Sequence, residues 1–148
     1  MKTVETTRTT SAPLATAFET ISDVRNFRKA VPHITNIEFL SEQQHGIGTR
    51  FNETRVMNGK EHTVELEVTE FAENESVRLV SIAGGTKWDT TFTVSEAQGS
   101  IEIKMVMLVE PQNMMARMTV PMILGMVRKG VEADMDSVKT YCENLDQE

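Results

Sequence analysis

A single cysteine among 148 residues excludes an internal disulfide and any zinc site built on paired cysteines. That residue, Cys142, shares a helical face with Val138 and Leu145, which points to a small buried hydrophobe rather than a nucleophile. A reducing, cytoplasmic setting is the expectation. Long apolar runs are also missing. Nothing approaches the roughly 18 residues of a membrane span, so no stable membrane insertion is expected. The opening stretch from Met1 to Arg8 lacks the apolar segment of a secretory leader. Basic residues are the minority, 15 against 22 acidic, for a net charge of −7. Such a surface repels phosphate backbones, and the densest basic group, Arg25, Arg28 and Lys29, is small, so nucleic acid is not an expected partner. Gly-x-Ser-x-Gly, phosphate-loop and dinucleotide patterns are absent. The three histidines lack ligand spacing, so neither metal nor cofactor is expected.

Aromatic residues are scarce too, at 5% with one tryptophan, and methionine is what the chain has in their place. Seven of the ten methionines fall between Met105 and Met126. Met105 and Met107 lie on a strand pattern; Met114, Met115, Met118, Met122 and Met126 lie on a helical one. If strand and helix face each other, the space between them is lined by flexible, polarizable side chains that adapt to varied apolar shapes. A pocket for a small greasy molecule and a loosely specified core both fit that composition.

Length and composition describe one globular domain over residues 1–148. Val4 to Thr10 is β-branched and reads as a strand. Ser11 offers an N-cap, Pro13 fits a first helical turn, and Leu14, Ala17, Phe18 and Ile21 repeat at helical spacing. Asp23 caps a second short helix with Val24, Phe27 and Val31 inward, and Pro32 closes it. From Asn36 the period becomes two. Six strands are expected: 36–40, 48–57, 62–71, 76–83, 87–94 and 100–109, with Asn58-Gly59 the clearest hairpin turn. Connections this short permit antiparallel pairing only.

The two faces of the sheet separate cleanly. Val64, Leu66 and Val68 oppose Glu65, Glu67 and Thr69; Trp88, Phe92 and Val94 oppose Lys87, Asp89 and Thr91; Ile101, Ile103, Met105 and Met107 oppose Glu102 and Lys104. One covered face and one solvated face follow, which makes Glu65, Glu67, Asp89, Glu102 and Lys104 surface charges. Pro111 ends the last strand and a helical segment follows, which Pro121 is expected to break or restart. The main helix is then about 121–145, roughly 37 Å long, with Val127, Val131, Met135, Val138, Cys142 and Leu145 as its core stripe. Gly125 and Gly130 each weaken a helix by about 1 kcal/mol relative to alanine, suggesting that the sheet or a ligand approaches the backbone there.

This order of elements resembles the START-like, or SRPBCC, superfamily. So do Ser11-Ala12-Pro13, Ala17-Phe18, Asp23-Val24, Phe27 and Pro32, the glycine-initiated strand Gly46-Ile47-Gly48-Thr49-Arg50-Phe51, and Val68-Thr69-Glu70-Phe71. The likeness is greatest to the polyketide cyclase/dehydrase-like branch and spans the chain. It implies an α+β helix-grip fold, a curved antiparallel sheet wrapped around a long C-terminal helix, with a tunnel for lipids, polyketides or other apolar molecules. It does not imply one activity, since function is argued from a site and not from a fold.

The candidate site residues follow from the alternation. Phe51, Leu66, Val68, Trp88, Phe92, Met105 and Met107 would line the sheet side, and Met115, Met118, Met122 and Met126 the helix side. Glu53 and Arg55 share the Phe51 face. Either they point into the pocket and pair with each other or a ligand, or a β-bulge near Gly48 or an edge position exposes them. Facing inward, Arg55 could hold a ligand carboxylate by a two-pronged hydrogen bond, and Glu53 could accept a proton. His62, at the pocket rim, completes the catalytic candidates. Trp88 either fills core or offers its indole N–H to a ligand oxygen.

Three functional classes remain open on sequence. The first is binding or transport of a small hydrophobic ligand by a monomer or homodimer. The second is an enzyme of polyketide cyclase, dehydratase or aromatase type. The third is a protein-interaction module with an exposed apolar patch near Met114–Met118. In the first two, 114–121 would serve as a gate over the pocket mouth.

Overall fold

The computed structural model describes residues 1–146. Strand β1 (Lys2–Thr10) leads into two short helices, α1 (Leu14–Ser22) and α2 (Val24–Ala30). Six strands follow: β2 (Ile34–Phe39), β3 (Arg50–Met57), β4 (Lys60–Ala72), β5 (Ser76–Ala83), β6 (Thr86–Ala97) and β7 (Ser100–Pro111). Helix α3 (Met114–Asp146) closes the chain. All seven strands form one curved antiparallel sheet in the order β1-β7-β6-β5-β4-β3-β2. This is the α+β helix-grip fold.

Local chemistry explains the meander. Asn58 and Gly59 both take positive φ, 53° and 77°, and join Met57 to Lys60 as paired neighbours. A two-residue turn of that hand matches the twist of the strands it connects. Gly84-Gly85 and Gln98-Gly99 make the same turn between β5 and β6 and between β6 and β7. Register shifts at Ile34/Asn36 and Val68/Glu70 bend β2 and β4, as an extra residue on one strand does.

The core decides where space is left. Val4, Phe18, Ile21, Ile103, Met105, Met135, Val138 and Cys142 form one buried cluster, joining α1, β1, β7 and the C-terminal half of α3. Each fully buried side chain of this kind contributes about 2 kcal/mol. Polar ties hold the same seam: Arg8 Nε pairs with Asp136 at 2.6 Å, and Thr10 Oγ1 donates to Glu143 at 3.1 Å. Helix α3 therefore packs chiefly on β1 and the short helices. Strands β3 to β6 are left facing it across a gap. Cys142 is buried with its thiol against Thr20 Oγ1 at 3.3 Å, and burial pushes its pKa up.

Several expectations need correction. Helix α3 runs unbroken from Met114 through Pro121. Pro121 lies on the exposed side of the helix, where the carbonyl of Arg117, deprived of its N–H partner, can be solvated instead. The helix starts where Asn113 Oδ1 accepts the Ala116 N–H at 2.8 Å. Ser11 does not cap α1; Pro13 precedes the helix with no side-chain cap, and the Ser11 N–H donates to Glu143. Asp23 does cap α2, accepting from Arg25 N. Leu145 is exposed rather than part of the core. Nothing lies within 4 Å of a Cβ added at Gly125 or Gly130, so no protein group approaches either.

Asp89 is not a surface charge. It is only 6% exposed, and Arg78 grips it by two bonds, Nε to Oδ1 at 2.8 Å and Nη2 to Oδ2 at 2.6 Å. That grip holds its carboxyl below the ordinary range. Among the described residues, no helix is long and apolar enough to cross a membrane.

Candidate ligand-binding cavity

The gap between β3–β6 and α3 is a cavity of about 750 Å³, within the range of small-molecule sites. Alternation along the strands supplies its floor. Phe51 pairs across to Leu66 and Ser81 across to Trp88; with Val68, Leu79, Phe92, Met105 and Met107 they face inward. The roof comes from Ile123, Met126, Val127, Gly130, Val131 and Asp134 of α3. One end is closed by Ile21, Ser22 and the Gln44–Gly46 loop, where His45 stands edge-on to Phe71 at 5.0 Å. The other end is framed by Met57, Asn58 and Lys60 of the β3–β4 hairpin and by Ala83 and Gly84.

The structure places Phe51, Leu66, Val68, Trp88, Phe92, Met105, Met107 and Met126 on the cavity wall, together with Glu53, Arg55 and His62. Met115, Met118 and Met122 are elsewhere. They are 77%, 72% and 83% exposed and form a solvent-facing stripe with Met114. The reason is angular: these positions lie on the helix side turned away from Ala116, Val120, Val127 and Val131. The helix's contribution to the pocket is mostly aliphatic. Trp88 lines the wall, but its indole N–H is already used, donating to Ala83 O at 3.1 Å.

Glu53 and Arg55 point inward with the buried Phe51 because β3 alternates without a bulge through its regular pairing with β4, and β3 is not an edge strand. Glu53 is 8% exposed. Arg55 Nε donates to Glu53 Oε1 at 2.6 Å, and Arg55 Nη1 donates to Asp134 Oδ2 at 2.8 Å. The cluster thus bridges sheet and helix across the cavity wall. Burial works against the charge of Arg55, yet the two carboxylates outweigh it and hold the guanidinium more firmly protonated than usual. Burial pushes the Asp134 carboxyl above its ordinary range, against the pull of Arg55. His62 stands opposite Arg55 on β4 and is exposed at the rim.

Sequence reading missed Asp134, although the signal was present. It follows Val127 by seven and Val131 by three residues, which puts a carboxylate within an apolar helical stripe. Ser22 and Ser81 were missed as well. Both line the cavity and are over nine-tenths buried, and neither hydroxyl has a hydrogen-bond partner. Buried polar groups normally find one. Among the described residues, no group of three or more His, Cys, Asp or Glu could hold a metal ion.

Comparison with known proteins agrees with this architecture. The family described as polyketide cyclase / dehydrase and lipid transport matches residues 1–143. No curated protein matches the chain. Among solved structures, TTHA0849 from Thermus thermophilus superposes with a TM-score of 0.77 at 14% identity, covering 95% of this chain and 97% of that one. Truncated norcoclaurine synthase from Thalictrum flavum gives 0.73 at 15%, covering 93% and 91%. The di-domain ARO/CYC StfQ from the steffimycin biosynthetic pathway gives 0.79 at 8%, covering 96% of this chain and 50% of that one. Identities this low show a common fold.

Proposed function

The chain belongs to the polyketide cyclase / dehydrase and lipid transport family, and from that premise we propose that it binds or carries a small hydrophobic molecule between sheet and helix. The observation that carries this reading is the cavity of about 750 Å³, walled by aliphatic, methionine and aromatic side chains with few polar groups. Burying apolar ligand surface there is favourable by about 25 cal/mol per Å². The Glu53–Arg55–Asp134 cluster and the free Ser22 and Ser81 hydroxyls would orient the guest, as sparse polar groups do in ligand pockets. Native mass spectrometry of protein purified from its own cells tests the reading. A bound small molecule, lost on denaturation, is expected; a bare polypeptide mass from every preparation that also refuses added apolar ligands would contradict it.

A second reading, chemistry of the cyclase or dehydratase kind, is favoured by one observation. Asp134, with its pKa raised by burial, sits on the cavity wall where its carboxylate could take a proton from a folded substrate and return it. Glu53 and His62 are within the same wall. The cavity would then add rate by holding reactive atoms together.

A further inference from the structure

If the cavity is a ligand site, as proposed above, its polar cluster specifies the head group the ligand carries. By sequence, Arg55 is a candidate holder of a ligand carboxylate. The geometry argues the reverse. Two carboxylates, Glu53 and Asp134, already flank this one guanidinium at 2.6 and 2.8 Å, so the ionised cluster carries one net negative charge. A ligand carboxylate arriving at the remaining Nη2 would be a third anion around a single cation, in a site partly shielded from water.

What the cluster offers is acceptors. Glu53 Oε1 and Asp134 Oδ2 are engaged by Arg55. The second oxygen of each, Glu53 Oε2 and Asp134 Oδ1, has no protein donor among the described residues. Neither is among the fully enclosed atoms lacking a partner, so both remain open to the space beside them. The other charged or titratable groups of this wall, Lys60, His62 and His45, are all exposed, as is His33 near Asp134. Water and salt screen them far more than they screen the sheltered carboxylates.

We propose that the cavity takes an apolar molecule whose head is a hydrogen-bond-donating cation, a protonated primary amine, seated against the free oxygens of Glu53 and Asp134. An ammonium donates three hydrogen bonds and supplies the missing positive charge. The apolar body then extends over Leu66 and Trp88.

The test uses three probes of equal chain length, decylamine, decan-1-ol and decanoate, each displacing the neutral dye Nile red from the intact protein near pH 7. Decylamine is expected to displace at a concentration at least about tenfold below decanoate, with decan-1-ol between them. Asp134→Asn, or Glu53→Gln if the first variant does not fold, should shrink that ratio at least about threefold. Glu132→Gln, which removes the same charge from the exposed side of α3, should leave the ratio intact and so separates the site from the general attraction of an acidic protein. Decanoate binding as tightly as decylamine, or a ratio equally altered by Glu132→Gln, overturns the amine assignment while the cavity reading stands. Displacement by none of the three, or no dye binding at all, overturns both.

Discussion

At the scale of single residues, Gly130 separates ligand space from protein space most simply. It lines the cavity, yet a Cβ built on it meets nothing within 4 Å. Gly130→Ala should therefore stabilise the unliganded protein by up to about 1 kcal/mol through helix propensity, and weaken ligand binding by placing a methyl in the guest's path. Gly125→Ala, on the exposed face, should stabilise alike and leave binding unchanged. Thermal unfolding and dye titration of the two variants check this; equal affinity in both would show that no guest approaches residue 130. Not every residue role was legible in the sequence. Alternation alone puts Glu53 and Arg55 on the Phe51 face, but that this face looks onto α3 across the cavity is set by the tertiary packing. Their third partner, Asp134, is 79 residues further on, and only tertiary structure brings it to Arg55. Asp89 misled for a related reason: its strand face is solvated, but Arg78 on the adjacent strand covers it.

At the scale of elements, the hairpins were legible because their chemistry is local. Asn58-Gly59 and Gly84-Gly85 need positive φ, and their residue types supply it. Gly85 has a further reason to be glycine, since a Cβ there would lie 2.5 Å from the Asn113 amide that caps α3. The long helix was less legible, because a proline sets a local penalty and the rest of the helix decides whether it is tolerated. Residues 114–121 bury only Ala116 and Val120, whereas 127–142 bury Met135, Val138 and Cys142 and line the cavity. Sparse burial goes with low local stability. Amides of 114–121 should therefore exchange with solvent faster than those of 127–138; no residue of 114–121 lines the cavity, so slowing on ligand binding would require the segment to close onto the guest. Pro121→Ala restores a donor for the Arg117 carbonyl, so exchange around it should slow by the equivalent of up to about 3 kcal/mol. Equal protection across Pro121, indifferent to ligand, would reject a gate.

At the scale of the molecule, the fold leaves the cavity by how it distributes its contacts. Helix α3 is tied to β1 and the short helices, through the Val4–Ile103–Val138 core and the Arg8–Asp136 pair, while β3 to β6 curve away beneath it. Side chains of moderate size then line the gap without closing it. The methionine cluster in the sequence pointed to this place but overstated its share. Met105, Met107 and the half-exposed Met126 reach the cavity, and Met114, Met115, Met118 and Met122 form the outer stripe of α3. Trp88, the sole tryptophan, stands in the cavity wall, so the tryptophan emission has a single source and that source borders the cavity. The most direct measurement is a titration of Trp88 emission with decan-1-ol, in the natural protein and in a Val64→Phe variant that fills part of the cavity. The account predicts a saturable, one-to-one change in the natural protein that is weakened at least about tenfold in the filled variant. No saturable change, or the same titration in both proteins, would contradict it.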